Sequence, residues 1–366
     1  KSGILFIFRE KGGTIGISLC EGMEAMTSKR LGRQTVRLGS PVSVLSYANI
    51  GGKQEAQGPL AGYFDELNQD AYFGQKSWEK GESAMQQFAL RRAMEKGGLI
   101  PEDLDYVLAG DLLNQCIGTS FAARESGVPF YGLYGACSTM AESLSLAAMA
   151  VEGGFVRHAG AMTSSHFASA ERQYRLPLEY GGQRTPTAQW TVTGSGAVIL
   201  GPNGAPPYIR GVTTGKVVDL GITDANNMGA AMAPAFVDTV VAHFQDTGLG
   251  PRDYDLVVSG DLGAVGKELA EELLRREGYP MGDRLADCGT MIFDLANQDV
   301  HAGGSGCGCS AVVLCGYLLH CLETRKYRNI LFCGTGALLS PVSTQQGESV
   351  PSVCHAVAIS MESGCI

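Results

Sequence analysis

Two stretches of this chain carry residue types at spacings that could do chemistry. The first is Val128-Pro-Phe-Tyr-Gly-Leu-Tyr134 followed by Gly135-Ala-Cys137-Ser-Thr-Met140. It reads as strand, tight turn and helix, so Cys137 sits at the first turn of a helix. Unpaired amides and the helix dipole there favour the thiolate and would activate it as a nucleophile. The competing reading is a small buried residue, which is common for free cysteine. The second stretch runs from Asp299 through His301 and a glycine-rich segment to Ser310. Glycines before an apolar helix let backbone approach a ligand closely and can present amides to an oxyanion. The competing reading is a tight loop in which His301 is satisfied by a carbonyl.

Other motifs fail on spacing. Gly260 to Lys267 has one residue too many for a phosphate-binding loop, and Glu268 stands where Ser or Thr belongs. Gly304-Ser-Gly-Cys-Gly308 lacks the acidic residue that a dinucleotide fingerprint needs downstream. No Cys-x-x-Cys pair occurs among the 11 cysteines, and Cys307-Gly-Cys309 has the wrong spacing for zinc. The expectation is reduced, intracellular thiols, with no metal and no cofactor. His158, His243, His320 and His355 stand alone and read as structural, and the Met228–Met232 cluster reads as packing.

These candidates must be held by a large core. Of 366 residues, 45% are hydrophobic and 18% charged, which excludes a disordered chain. The net charge of -9 argues against nucleic-acid binding. No apolar run reaches the length of a membrane span. The apolar start at Ile4–Phe8 is short, is broken by Arg9 and lacks a cleavage site, so it reads as non-targeting.

The chain is internally duplicated. Residues 98–112, GLIPEDLDYVLAGDL, match residues 248–262, GLGPRDYDLVVSGDL, at nine of fifteen positions. Each copy follows a helical stretch and leads through a Pro/Asp turn into a short apolar strand. A weaker correspondence links Ala136-Cys-Ser138 to Gly308-Cys-Ser310, with extra residues in the second copy between about 280 and 306. Two α/β halves therefore span about 35–203 and 207–361, each with a parallel-rich sheet, after an extension over 1–34. Met26 would suit a natural start, and residues 1–25 are expected to add nothing to the core. The segments 139–152 and 310–322 are apolar around most of their circumference, as helices buried on more than one side would be. Two such helices predict a duplicated α-β-α-β-α sandwich with both in the central layer.

The duplicated halves, Gly135-Ala-Cys137-Ser and the His301 loop before Gly308-Cys-Ser310 together resemble the thiolase and ketoacyl-synthase superfamily. That resemblance implies an acylated nucleophile at Cys137 and an acid/base at His301. A narrower set of strings resembles the stage V sporulation AD family: Gly58-Pro-Leu60, Trp78-Glu-Lys80, Gly110-Asp-Leu-Leu-Asn-Gln115, Thr163-Ser-Ser-His166, Glu179-Tyr-Gly-Gly-Gln183 and Asp224-Ala-Asn-Asn-Met-Gly229. This similarity implies a protein that binds dipicolinic acid, free or as its calcium chelate. It also implies work with the other stage V sporulation A proteins as a protein peripheral to the spore inner membrane, and the superfamily resemblance implies a homodimer, with the 106–134 region contributing to the interface. One departure stands out. Gly260-Asp261-Leu262 replaces the His or Asn/Glu motif of active members, and a carboxylate would repel a developing oxyanion. A binding role is therefore expected, the alternative being an acyltransferase using Cys137. The ligand set implied is Cys137, His166, His301, the amides of Gly303 and Gly304, and an arginine among Arg172, Arg175 and Arg184, with Arg184 entered in the set. Each arginine could equally be a surface charge.

Overall fold

A computed structural model describes residues 29–174 and 184–363; the expectations for residues 1–25 and for Arg175 lie outside the described residues. In the first half, β1 (Thr35–Gly51), β2 (Glu66–Leu67), α1 (Trp78–Gly97), β3 (Tyr106–Gly110), α2 (Ile117–Ser126) and β4 (Phe130–Gly132) lead to α3 (Thr139–Glu152). Then come β5 (Ala159–Ser165), α4 (Phe167–Tyr174), β6 (Trp190–Thr191) and β7 (Gly194–Pro202). The second half opens with β8 (Tyr208–Thr213), α5 (Met228–Thr247), β9 (Leu256–Ser259), α6 (Gly263–Arg276) and β10 (Leu285–Asp287). It continues with α7 (Cys288–Ile292), β11 (Gly304–Ser305), α8 (Cys307–Val313), α9 (Leu319–Glu323), β12 (Asn329–Ala337), α10 (Pro341–Gln345) and β13 (Ser352–Ser360).

The strand order is β10-β9-β12-β13-β8-β1-β7-β5-β3-β4, so the two halves repeat one order on either side of β1 and β8. Those two strands pair antiparallel, with Thr35 opposite Thr213 and Val42 opposite Ile209, and make the sheet continuous. Each half is mixed rather than parallel-rich. β3 and β9 have parallel neighbours, but β7 and β13 return antiparallel to theirs.

The duplicated segment explains itself residue by residue. Gly98 and Gly248 end α1 and α5 in the left-handed region, at φ 66° and 74°. Pro101 and Pro251 open a single helical turn, and Asp103 and Asp253 accept the amides of Ile100 and Gly250 at 2.9 and 2.8 Å. Asp105 accepts the amides of Arg157 and His158, while Asp255 accepts those of Arg328 and Asn329. Each aspartate thus ties the entry of one strand to the entry of its sheet neighbour.

The central layer is as expected. α3 packs on β1, β3, β5 and β7 of one half and on β12 and β13 of the other. α8 packs on α3, β5 and β7, and all seven of its residues are buried. A π-helical turn over Leu314–Leu318 joins α8 to α9. α1 and α5 cover the outer faces of the two halves. One core cluster runs through Leu144, Val198, Leu314 and Phe332, so both halves share it. Glycine is required where α8 crosses the sheet, because a Cβ on Gly308 would lie 2.6 Å from the Gly194 carbonyl oxygen and from Ser165 Oγ. Among the described residues no helix is long and apolar enough to cross a membrane.

Candidate functional site

β4 ends in a turn at Gly135, and a single helical turn, Ala136–Ser138, carries Cys137 into the start of α3. Ala136 takes φ 49°, a left-handed conformation that costs a non-glycine residue energy and aims the next side chain inward. Ser138 Oγ donates to Gly135 O at 2.6 Å and Thr139 Oγ1 to Ala136 O at 2.7 Å, locking the turn.

The thiol lands in a buried place. Its pKa lies well above the ordinary value because burial disfavours the thiolate, and because the Asp261 carboxyl and the Cys307 thiol lie beside it. Burial beside an acid thus works against the thiolate that the sequence expected the helix start to favour at Cys137. Asp261 is itself fully buried at the end of β9. Its Oδ1 accepts from Thr335 Oγ1 at 2.8 Å, and its Oδ2 from Ser305 Oγ at 3.1 Å and the Gly306 amide at 2.9 Å. Burial pushes its pKa up despite these donors.

Cys137 faces a narrow cavity of about 40 Å³ lined by Leu112, Glu171, Tyr174, Thr191, Ser305 and Leu339, among others. Tyr174 closes one side, donating to Leu112 O at 2.6 Å and meeting the Tyr134 hydroxyl at 2.8 Å. Among the described residues the lining contains no Lys, Arg or His.

The other expected residues go elsewhere. His301 does not line the cavity. It takes φ 51° on an exposed loop, with Nε2 3.1 Å from Asp299 Oδ1. Arg184 joins it there, donating from Nη2 to Asp299 Oδ2 at 2.8 Å and to Asp299 O at 2.6 Å. His166 is buried on another wall. Its Nδ1 accepts the Ala168 amide at 3.2 Å, so Nε2 is the donor to Ala71 O at 2.7 Å, and burial lowers its pKa. The Gly303 amide donates to Val300 O at 3.0 Å and the Gly304 carbonyl accepts from Gln189 Nε2 at 2.8 Å, so both glycines serve the scaffold. Arg172 pairs with Glu79 and lies over the Trp78 ring at 5.1 Å. The structure therefore brings Arg184 and His301 together and leaves Cys137 with Asp261 and Ser305.

Sequence reasoning missed a buried acid pair in the first half. Asp111 occupies in the first half the place of Asp261, accepting from the Thr119 amide and hydroxyl at 2.7 and 2.6 Å. Glu82 beside it accepts from Ser164 and Ser169 at 2.9 and 2.8 Å, and burial drives its pKa up. The repeated Gly-Asp-Leu was the available signal. Ser305 and Glu171 carried none. Among the described residues no group of three or more His, Cys, Asp or Glu could hold a metal.

Comparison with known proteins gives this geometry a family. Residues 32–360 match the family model for stage V sporulation protein AD. The stage V sporulation protein AD of Bacillus subtilis (strain 168) is 44% identical over 336 residues, covering 92% of this chain and 99% of that protein. Among solved structures, the 3-oxoacyl-[acyl-carrier-protein] synthase III of Aquifex aeolicus VF5 is similar with a TM-score of 0.53 at 12% identity, covering 88% of this chain and 100% of that one. Cerulenin-bound OleA of Xanthomonas campestris gives 0.55 at 14%, covering 87% and 96%. Human mitochondrial 3-ketoacyl-CoA thiolase, solved with CoA, gives 0.51 at 13%, covering 88% and 98%. At such identities these structures share the fold with this chain, and the fold alone.

Proposed function

The chain belongs to the stage V sporulation protein AD family, and from that membership we propose that it binds dipicolinic acid on a thiolase-like scaffold without acyl chemistry. The observation that supports a binding role is the burial of Cys137 against Asp261. An acyltransferase needs a thiolate and a base; here the neighbour of the thiol is a buried acid that disfavours the thiolate. The cavity at Cys137 has apolar walls from Leu112 and Leu339, with Tyr174, Thr191 and Ser305 also in its lining, and these walls must part to admit a flat ring.

Charge favours one form of the ligand. With Glu171 in the lining and Asp261 behind Cys137, a free dianion would meet carboxyl groups, whereas the calcium chelate carries its own neutralising charge. The protein works beside the other stage V sporulation A proteins, peripheral to the spore inner membrane, in moving calcium dipicolinate. It does so as a homodimer through the 106–134 region, where the edge strand β4 leaves Tyr131 60% exposed and the turn after it leaves Tyr134 47% exposed.

Calorimetry tests the reading. Dipicolinate is titrated with and without calcium, beside the monocarboxylate picolinate, into wild type and Cys137→Ala. Saturable dipicolinate binding that strengthens with calcium and weakens in the variant supports the assignment. Equal heats for both ligands, or no response to Cys137→Ala, would place binding outside this cavity.

A further inference from the structure

The narrow cavity at Cys137 meets solvent at one place. Of the described residues that line it, only Tyr174, Met228 and Leu339 are part-exposed; the others, Cys137 included, are buried. These three side chains therefore ring its mouth at the junction of the two halves. Tyr174 ends α4, Met228 opens α5 and Leu339 follows β12. Anything that reaches the thiol has to pass between them.

The three are held with different firmness. Tyr174 is fixed by its hydroxyl, which donates to Leu112 O at 2.6 Å and accepts from the Tyr134 hydroxyl at 2.8 Å. Swinging that ring away breaks both bonds. Leu339 is branched, and its backbone is steadied by the Leu338 amide, which donates to Pro351 O at 2.8 Å. Met228 is unbranched, turns about three bonds and carries no group that a hydrogen bond could tether firmly. Its backbone, by contrast, is pinned on both sides. Asn227 caps α5 by accepting the Ala230 amide at 3.3 Å. Gly229 lies so close to the start of α6 that a Cβ there would sit 2.4 Å from Leu262 O. An anchored backbone under a mobile side chain is what a swinging gate requires. In sequence Met228 reads as packing; at the mouth it has a second use.

We propose that Met228 is the gate of the Cys137 cavity. Its side chain swings aside to admit a ring-sized ligand while Tyr174 stays fixed opposite it, so Met228 sets the size of what enters. The identity of that ligand rests on the function proposed above, whereas the gate is read through the thiol itself.

Alkylation of Cys137 by iodoacetamide and by the bulkier N-phenylmaleimide, each followed by peptide mass on the full chain, tests this. Cys309 is the internal reference, because it is fully buried in α8 and does not line the cavity. Wild type, Met228→Ala, Met228→Leu and Tyr174→Phe are compared. A minor open state is populated at roughly 0.1–10%, so Met228→Ala should raise the Cys137 rate by about tenfold or more, most of all for N-phenylmaleimide. Met228→Leu keeps the volume on a stiffer side chain and should slow N-phenylmaleimide below wild type. Tyr174→Phe should change the rates less than Met228→Ala, and Cys309 should respond to none of the variants. A Cys137 rate indifferent to Met228→Ala would overturn the gate. So would a greater opening in Tyr174→Phe, or acceleration of Cys309 in parallel with Cys137, which would mark general loosening of the fold. Dipicolinate calorimetry on the same variants reads the ligand separately. Faster Cys137 alkylation in Met228→Ala with no dipicolinate heat in any variant would uphold the gate and overturn the ligand alone.

Discussion

Replacing Asp261 separates what that carboxyl does for the fold from what it does to Cys137. Asp261→Ala strands the Gly306 amide, which has no freedom to turn, and the hydroxyls of Ser305 and Thr335, all buried. A buried donor left unpaired costs about 1–3 kcal/mol, while the two hydroxyls can rotate toward other acceptors. Removing a buried acid returns part of its desolvation cost. The net expectation is a loss of about 3 kcal/mol of stability. Asp261→Asn is different. Its amide oxygen can keep the Gly306 and Ser305 donors while its nitrogen donates to Thr335 Oγ1, so the expected loss is about 1 kcal/mol or less. The asparagine also removes the carboxylate beside the thiol, which lowers the Cys137 pKa although burial continues to raise it. Denaturant unfolding reads the first effect, and iodoacetamide alkylation of Cys137 followed by peptide mass reads the second. Asp261→Asn should be nearly as stable as wild type and alkylate faster. Equal destabilisation by both substitutions would refute the hydrogen-bonding role, and unchanged alkylation in the asparagine variant would show that burial alone holds the thiol protonated.

Glu55 should make stability fall with rising pH. Burial lifts its pKa to about 7 from 4.5, so its contribution is fully present below about pH 4.5 and is lost as pH rises through 7; the span corresponds to roughly 3 kcal/mol. Unfolding of Glu55→Gln should show a shallower slope between pH 5 and 8, and an identical slope would contradict the assignment. Gly308→Ala should prevent folding or cost several kcal/mol, because the added methyl meets backbone at 2.6 Å; soluble expression with a wild-type melting curve would count against the close crossing of α8 over β5 and β7. His301→Ala should leave Cys137 alkylation unchanged, since the imidazole is held by Asp299 outside the cavity; altered alkylation would bring His301 back to the thiol.

The residues that organise the fold were legible because their roles are local. Gly98, Pro101, Asp103 and Asp105, with their partners in the second half, each act on backbone within the turn or on the neighbouring strand entry. The same locality placed Cys137 at the head of α3. Its chemistry was not local. The pKa of the thiol is set by burial and by Asp261 on the other half of the molecule, neither of which a strand-turn-helix pattern encodes. Asp111 and Asp261 carry the same tripeptide, yet one finds Thr119 on α2 and the other Thr335 on β12. His301 was misplaced for a related reason. A glycine-rich loop before a buried helix can turn its side chain to either face, and the positive φ of His301 turned it toward Asp299.

The central claim is that a thiolase-like scaffold here carries a cysteine that binds beside a ligand and does not become acylated. Intact-mass spectrometry of the protein after incubation with short- and long-chain acyl-CoA tests it most directly, with Cys137→Ala as the reference. The account predicts an unchanged mass over hours and no free CoA above the variant's background. An acyl adduct that maps to Cys137, formed within minutes and absent from the variant, would contradict it.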